Sequence, residues 1–498
     1  MRADGTSATG LHVPWEEFRG ANRWNREVDV LVNPFELLIG EPDVTLSRLA
    51  NNAKRGSESR KPAPRSLPSK SIGGIEPRDG PLPERILIHS KEILEILNYI
   101  SEGSIVIHSH LVTSILRPFK MLAYYEHQIH EHAATLEAKF GQSAAANSEA
   151  ALKTPGSSGE APKDEDPRTK SDKASKDGVS DDSSDSGSDN SSDDNTKDSS
   201  EKRESFTALL HMRCLLEFLD NVILAKKNHL MSQQYGSVTF SDIWYLFQPG
   251  TEVIDQDNKQ AYRVLRVTMP KHKVFSLFSW LRGAESEGAE EKPAMVHCIY
   301  IDFDGEKIGP VAKVFDIQRF DQAKPIKSLP IYPLRMVMEV GFRDGLIKRG
   351  KMLWDVIQIK PMYYKRYTIE TREEADSQVM IDFNEALSHA QEHGKDWEPK
   401  VDFISTTTEE TKEDNSGCEA NCCRDQAVHD DSYIDDKQEE DFIKSLLVDA
   451  TAERRSLIIY PSPLREMLVS KRTPIEDEFA IMSYRVFGFI LRSRKWGE

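Results

Sequence analysis

Between residues 141 and 204 this 498-residue chain offers almost nothing that a core can bury, and the run SDDSSDSGSDNSSDDNTKDSS near its end is almost wholly Ser, Asp and Asn. Like charge and missing hydrophobes leave nothing to offset chain entropy, so the stretch is expected to be disordered. Whatever folds must do so from the segments on either side. Upstream, Pro118 suits the first turn of a helix running to about Phe140. Its apolar residues Phe119, Leu122, Ile129, Ala133, Leu136 and Phe140 follow a 3-then-4 spacing interrupted by Glu126. Downstream, Leu209, Met212, Leu216, Leu219, Ile223 and Leu230 repeat that spacing, with Lys226 as the polar exception. Two such seams around a disordered insertion predict an antiparallel helical hairpin, coiled-coil-like, with a long loose tip. The alternative is two unrelated amphipathic helices lying on a core.

The rest of the chain divides by composition. Residues 1–50 read as a partly ordered N-terminal segment and 51–82 as a Ser/Pro/basic linker. Residues 83–140 read as helical: Ser90 caps a helix in which Ile93, Leu94, Ile96, Leu97 and Ile100 form one apolar stripe. After the insert at 141–204, a long helix at 205–236 is expected to pair with 118–140. From 237 to 404 the period shifts towards two. AYRVLRVTM alternates as a half-buried strand does, and Asp304-Gly305 separates two extended runs, a hairpin signal that calls for positive φ at both central residues. EVGFRDGLIKRGKMLWDV reads as a helix, followed by strands around YYKRYTIE and QVMIDF. Residues 405–440 read as an acidic linker and 441–498 as a C-terminal helix and strand. The fold class is therefore α+β: a helical hairpin plus a small twisted antiparallel sheet or partial barrel with a packed helix.

Charge narrows the partners. The chain carries 65 basic and 82 acidic side chains, a formal net charge of −17. Such a balance disfavours sequence-independent binding to phosphate backbones. The one basic stretch, Lys54, Arg55, Arg60, Lys61, Arg65 and Lys70, reads as a solvated linker, with a nuclear-import signal as the alternative. No secretory signal and no apolar run of roughly 20 residues is present, so a soluble intracellular protein, cytoplasmic or nuclear and without membrane contact, is expected. The five cysteines, Cys214, Cys298, Cys418, Cys422 and Cys423, are too few and too uneven for a disulfide framework.

An ordered series of segments carries a resemblance. LPERILIHSKEILEIL, LRPFKMLAYYEHQI, HMRCLLEFLDNVI, FSDIWYLFQPGTEVI, NKQAYRVLRV, YIDFDGEKIG, LPIYPLRM, LIKRGKML, QVMIDF and GFILRSRKW follow one another over about residues 83–496. The series resembles the uncharacterised domain that precedes the ATPase module in filamentous-fungal AAA-type ATPases. That resemblance implies an accessory or substrate-facing region, with this chain ending where the module would begin. It also implies a protein partner, or an AAA module in trans.

Chemistry-bearing motifs are sparse. Gly345, Gly350 and Lys351 satisfy the glycine and lysine spacing of a phosphate-binding loop, but Met352 stands where a hydroxyl should reach magnesium, and the preceding residues look helical. The nucleotide loop is therefore rejected. The runs ending at Asp382 and Asp449 lack the catalytic Glu of a Walker B element and read as a strand end and a helix. Asp302 and Asp304, two apart beside a turn, can share a face and a cation, though turn chemistry explains Asp304 alone. His127, His130 and His132 with Glu126 and Glu131 can present pairs on one helix face, or a solvated polar face. Cys418, Cys422, Cys423 and His429 form a loose cluster that matches no common zinc spacing. No catalytic, cofactor-binding or metal residue is assigned. The function expected is non-catalytic recognition of a substrate or partner, and the alternative is an enzyme with its site in the 237–383 sheet.

Overall fold

A computed structural model describes residues 11–14, 33–39, 82–108, 111–151, 203–232, 236–272, 292–370, 372–404, 418, 423, 426–448 and 456–498. The expected linker up to residue 81, the acidic insert beyond Ala151 as far as 202, and most of the stretch 405–425 lie outside these residues.

The chain begins with a sheet. Strand β1 (Leu11–Pro14) runs parallel to β2 (Phe35–Ile39), and β2, β3 (Arg85–Ile88) and β4 (Val112–Leu116) pair antiparallel in that order. Residues 83–140 are thus not wholly helical. All four residues of β3 are buried, so no alternation marks it, and a short apolar run of that kind has no period to separate strand from helix. Between β3 and β4 lies the expected helix α1 (Lys91–Ile100). Ser90 caps it, its Oγ accepting the Ile93 N–H at 3.1 Å, and Ile93, Leu94, Ile96 and Leu97 are buried.

The hairpin follows. A short helix α2 (Lys120–Tyr124) starts after Phe119, whose φ of 61° is left-handed, and α3 (Glu126–Ala151) continues well past Phe140. The sequence GQSAAANSEAA is rich in the strongest helix former, which favours continuation. Beyond the insert, α4 (Phe206–Phe218) is capped by Ser205 and passes through a π-helical turn at Leu219–Leu224 into α5 (Ala225–Met231). Cross-pairs fix the antiparallel sense: Glu126 with Lys227, His130 with Asp220, Glu137 with Arg213 and Lys139 with Glu204. Leu122, Ile129, Leu136, Leu209 and Ile223 are buried, while Leu216 is only partly so. The π turn rephases the seam, and Lys226 ends fully enclosed against Asp242 at 2.9 Å.

Next come β5 (Ser237–Val238), α6 (Ile243–Leu246), β6 (Glu252–Asp255), β7 (Ala261–Thr268), β8 (Ala294–Phe303), β9 (Lys307–Ile317), β10 (Lys324–Pro325) and β11 (Ile331–Pro333). Strands β11, β6, β7, β8 and β9 form an antiparallel sheet in that order, and β10 pairs with β5. The β8–β9 hairpin turns at Asp304-Gly305, but only Gly305 has positive φ, at 98°. Asp304 does the rest through its side chain, Oδ1 accepting the N–H groups of Glu306 and Lys307.

Helix α7 (Phe342–Val356) and strands β12 (Lys360–Tyr367) and β13 (Glu374–Ile381) occur where the sequence places them, and a further helix, α8 (Phe383–Glu392), follows β13 unanticipated. The stretch 405–440 is not only a linker: β14 (Gln426–His429) joins β4 in parallel at the edge of the first sheet, and α9 (Tyr433–Val448) follows at once. Strand β15 (Ser462–Pro463) extends the second sheet beside β9. Helix α10 (Leu464–Val469) comes next, and α11 (Glu476–Ala480) packs on α7. Strands β16 (Gly488–Ile490) and β17 (Lys495–Gly497) complete a four-stranded sheet in the order β12-β13-β16-β17. Among the described residues no sheet closes on itself, so the partial-barrel option gives way to open sheets. One hydrophobic core runs continuously from the first sheet and hairpin through the second sheet to α11.

Candidate functional site

Gly345, Gly350 and Lys351 all lie inside α7. The Gly345 N–H is already bonded to the Gly341 carbonyl at 3.0 Å, as helical amides are, and so is not turned towards a phosphate. A Cβ on Gly350 would come within 2.1 Å of the Phe479 carbonyl oxygen, so this glycine lets α7 approach α11. Lys351 is half-exposed, 3.9 Å from Glu476.

The histidines on α3 do not pair within their own helix. His130 Nε2 meets Asp220 across the hairpin at 2.9 Å, and Glu126 takes Lys227 at 3.1 Å. His127 and Glu131 are exposed. His132 is half-buried beside Tyr99, and burial with the Arg203 cation holds it below its usual value. Asp302 and Asp304 also separate. Asp304 serves the turn, whereas Asp302 is enclosed, accepts the Phe303 N–H at 2.9 Å and is pushed up to about 7 by burial. Of the cysteine cluster, Cys422 lies outside the described residues, and His429 is held near Tyr433, its rings 6.0 Å apart. The histidine that joins Cys418 and Cys423 is instead His272, just beyond β7. No spacing rule reaches it, because the intervening chain is a whole sheet.

Two clefts remain as places for a ligand. The first, about 320 Å³, lies between the hairpin and α9 and is lined by Tyr124, Glu126, Lys227, Gln248 and Asp441 among others. Its ionisable groups are already mutually satisfied: Tyr124 donates to Asp441, and Lys227 pairs with Glu126. Burial and the Asp441 carboxylate raise Tyr124 above the usual phenol range. Beneath this cleft, Lys120 pairs with Asp435, which also accepts the Trp244 indole N–H at 2.8 Å. Burial pushes Asp435 up despite Lys120, and pushes the enclosed Asp431 up to about 6. This buried network anchors α9 to α2 and α6. It was not legible beforehand, since Asp431 and Asp435 sit in a stretch that reads as an acidic linker.

The second cleft, about 300 Å³, lies at the β8–β9 turn between the end of α7 and α10. Its lining is mixed: the apolar side chains of Phe303, Ile357, Ile359, Phe383, Leu464 and Leu468 stand beside Gly305 and the polar Gln358, Asn384 and Asp382, of which only Asp382 is ionisable. Asp382 is occupied as the cap of α8, accepting the Glu385 N–H at 3.2 Å. Such a surface can hold an apolar group but offers no poised acid–base pair.

Residues 228–338 match a domain of unknown function, DUF7025. That span runs from within α5 through β11, taking in five strands of the six-stranded sheet. No curated protein and no solved structure matches the chain. No described helix is long and apolar enough to cross a membrane.

Proposed function

We propose that this chain is a non-catalytic accessory region of the AAA-type ATPase kind, which recognises a protein partner or positions it for an ATPase module in cis or in trans. Four of the segments that carry the resemblance, FSDIWYLFQPGTEVI, NKQAYRVLRV, YIDFDGEKIG and LPIYPLRM, fall inside the span matched by DUF7025. The observation that carries the recognition reading is the cleft at the β8–β9 turn, whose mixed lining holds a single ionisable side chain. The cleft's single carboxylate is used as a helix cap, and the strongly shifted groups of the sheet, Cys298, Asp302, Tyr262 and His297, do not line it. An enzyme built there would need converging ionisable groups; a recess of apolar and amide side chains suits a side chain of a protein partner.

The test is sedimentation velocity of the intact chain mixed with the separately produced ATPase module of a protein having both parts. Co-sedimentation is expected, weakened by Leu468→Asp at the half-exposed rim of the cleft. Independent sedimentation, or binding indifferent to Leu468→Asp, would count against the module as partner or the cleft as its seat, respectively.

A further inference from the structure

At the edge of the first sheet His272, Cys418 and Cys423 bring an imidazole nitrogen and two sulfurs within 4.8 Å of one another. We propose that these three side chains bind one zinc-class divalent cation, which clips the segment before β14 onto the sheet.

The donor set selects the class of ion. Two thiolates and an imidazole suit zinc and its borderline-soft neighbours, whereas magnesium and calcium take oxygen. In a tetrahedral site with about 2.3 Å to sulfur and about 2.0 Å to nitrogen, donors stand ~3.3–3.8 Å apart. Closure from the observed spacing therefore needs a shift of roughly 1 Å, within the reach of side-chain rotation. Binding would release the thiol protons to solvent, so the site carries two thiolates against the doubly charged ion and is close to neutral.

The surroundings supply a second shell. Arg85 has no exposed surface, and its Nη1 points at Cys423 Sγ from 3.8 Å. A metal-bound sulfur can keep accepting such an N–H, as outer-shell partners of ligands do. Arg85 is itself held by two partners: Nη2 donates to Glu84 Oε1 at 2.9 Å, and Nη1 also donates to Gln426 Oε1 at 3.0 Å. Glu84 Oε1 in turn lies 4.0 Å from His272 Nδ1, where a carboxylate can orient the imidazole. Both oxygens of Glu84 are engaged by Arg85, so a water is the natural fourth ligand. Cys423 is buried, and Cys418 and His272 are half-buried, which leaves a path for the ion.

The topology gives the ion work to do. His272 follows β7, Glu84 and Arg85 open β3, and Cys423 lies three residues before β14, a four-residue edge strand that among the described residues pairs with β4 alone. A cation bound to the folded state and not to the unfolded chain stabilises that edge by mass action.

The experiment uses the intact chain, stripped with chelator under reducing conditions and then titrated with zinc or with cobalt(II). One equivalent is expected to bind, with a thiolate-to-cobalt charge-transfer band. Zinc is expected to protect Cys418 and Cys423 from alkylation, read residue by residue by mass spectrometry on the unaltered sequence, and to raise the Tm. Cys418→Ser, Cys423→Ser and His272→Gln should each weaken binding at least about tenfold, whereas Cys214→Ala on α4 should not. Sub-stoichiometric metal, a cobalt spectrum without the charge-transfer band, protection confined to other cysteines, or a Cys418–Cys423 disulfide persisting in the reduced chain would each overturn the proposal.

Discussion

Asp302 is a carboxyl whose charge the fold tolerates poorly. Its carboxyl is fully enclosed at the end of β8, and burial raises it from an ordinary aspartate to about 7. The folded state therefore holds a proton that the unfolded chain releases between about pH 4 and pH 7. Stability from this group falls as pH rises through that window and is at its lowest above it. Asp302→Asn keeps an acceptor for the Phe303 N–H but removes the charge. At pH 8 the variant should be more stable than the parent by roughly 2–4 kcal/mol, with little difference at pH 4, as measured by urea unfolding at both values. Equal differences at the two pH values would show that the charge is not the cause. Asp431, raised to about 6, titrates in the same window but is common to both proteins, so the comparison isolates Asp302. Lys226 and Asp242 form the converse case, a fully buried ion pair with 2.9 Å between Nζ and Oδ2. Lys226→Met alone should cost about 3–5 kcal/mol by stranding the carboxylate, and Lys226→Met with Asp242→Leu should recover most of it. Lys226 was visible in the sequence as the polar break in an apolar seam. Its partner was not, because Asp242 lies in the next element.

At the scale of elements, the hairpin and α7 give the sharpest tests. Leu136 and Leu209 are both buried where α3 meets α4, and each cut to alanine should cost about 2–5 kcal/mol in denaturant unfolding; Leu216, only partly covered, should cost less. Gly350→Ala drives a methyl group into the Phe479 carbonyl, so a loss of roughly 3 kcal/mol or more is expected, against less than about 0.5 kcal/mol for the exposed Lys351→Ala. If Gly350→Ala proved neutral, α7 and α11 would not approach as closely as described. The same elements show what a sequence can reveal. The seams of α3 and α4, the stripe of α1 and the Asp304-Gly305 turn were legible because period and turn chemistry are local. Strands β3, β4 and β14 were not: each has only four or five residues, and β14 pairs with a strand more than three hundred residues earlier in the chain. Burial on both faces erased the alternation of β3.

For the whole molecule, the proposed role is recognition of a partner, with nucleotide chemistry left to another module. Binding Mg-ATP requires free amide groups at a helix N-terminus, a lysine on the outer phosphates and a hydroxyl for magnesium. Here Gly345 and Gly350 lie within α7, the Gly345 amide is committed to the helix, and Met352 stands at the hydroxyl position. Met352 and a helical pattern speak against that motif in the sequence alone, while the candidate sites of the folded chain, the cleft at the β8–β9 turn and the His272 cluster, depend on contacts that no local motif encodes. The most direct measurement is calorimetric titration of Mg-ATP into the intact chain. The account predicts no saturable heat and an identical trace for Lys351→Ala. Micromolar binding that Lys351→Ala abolishes would contradict it.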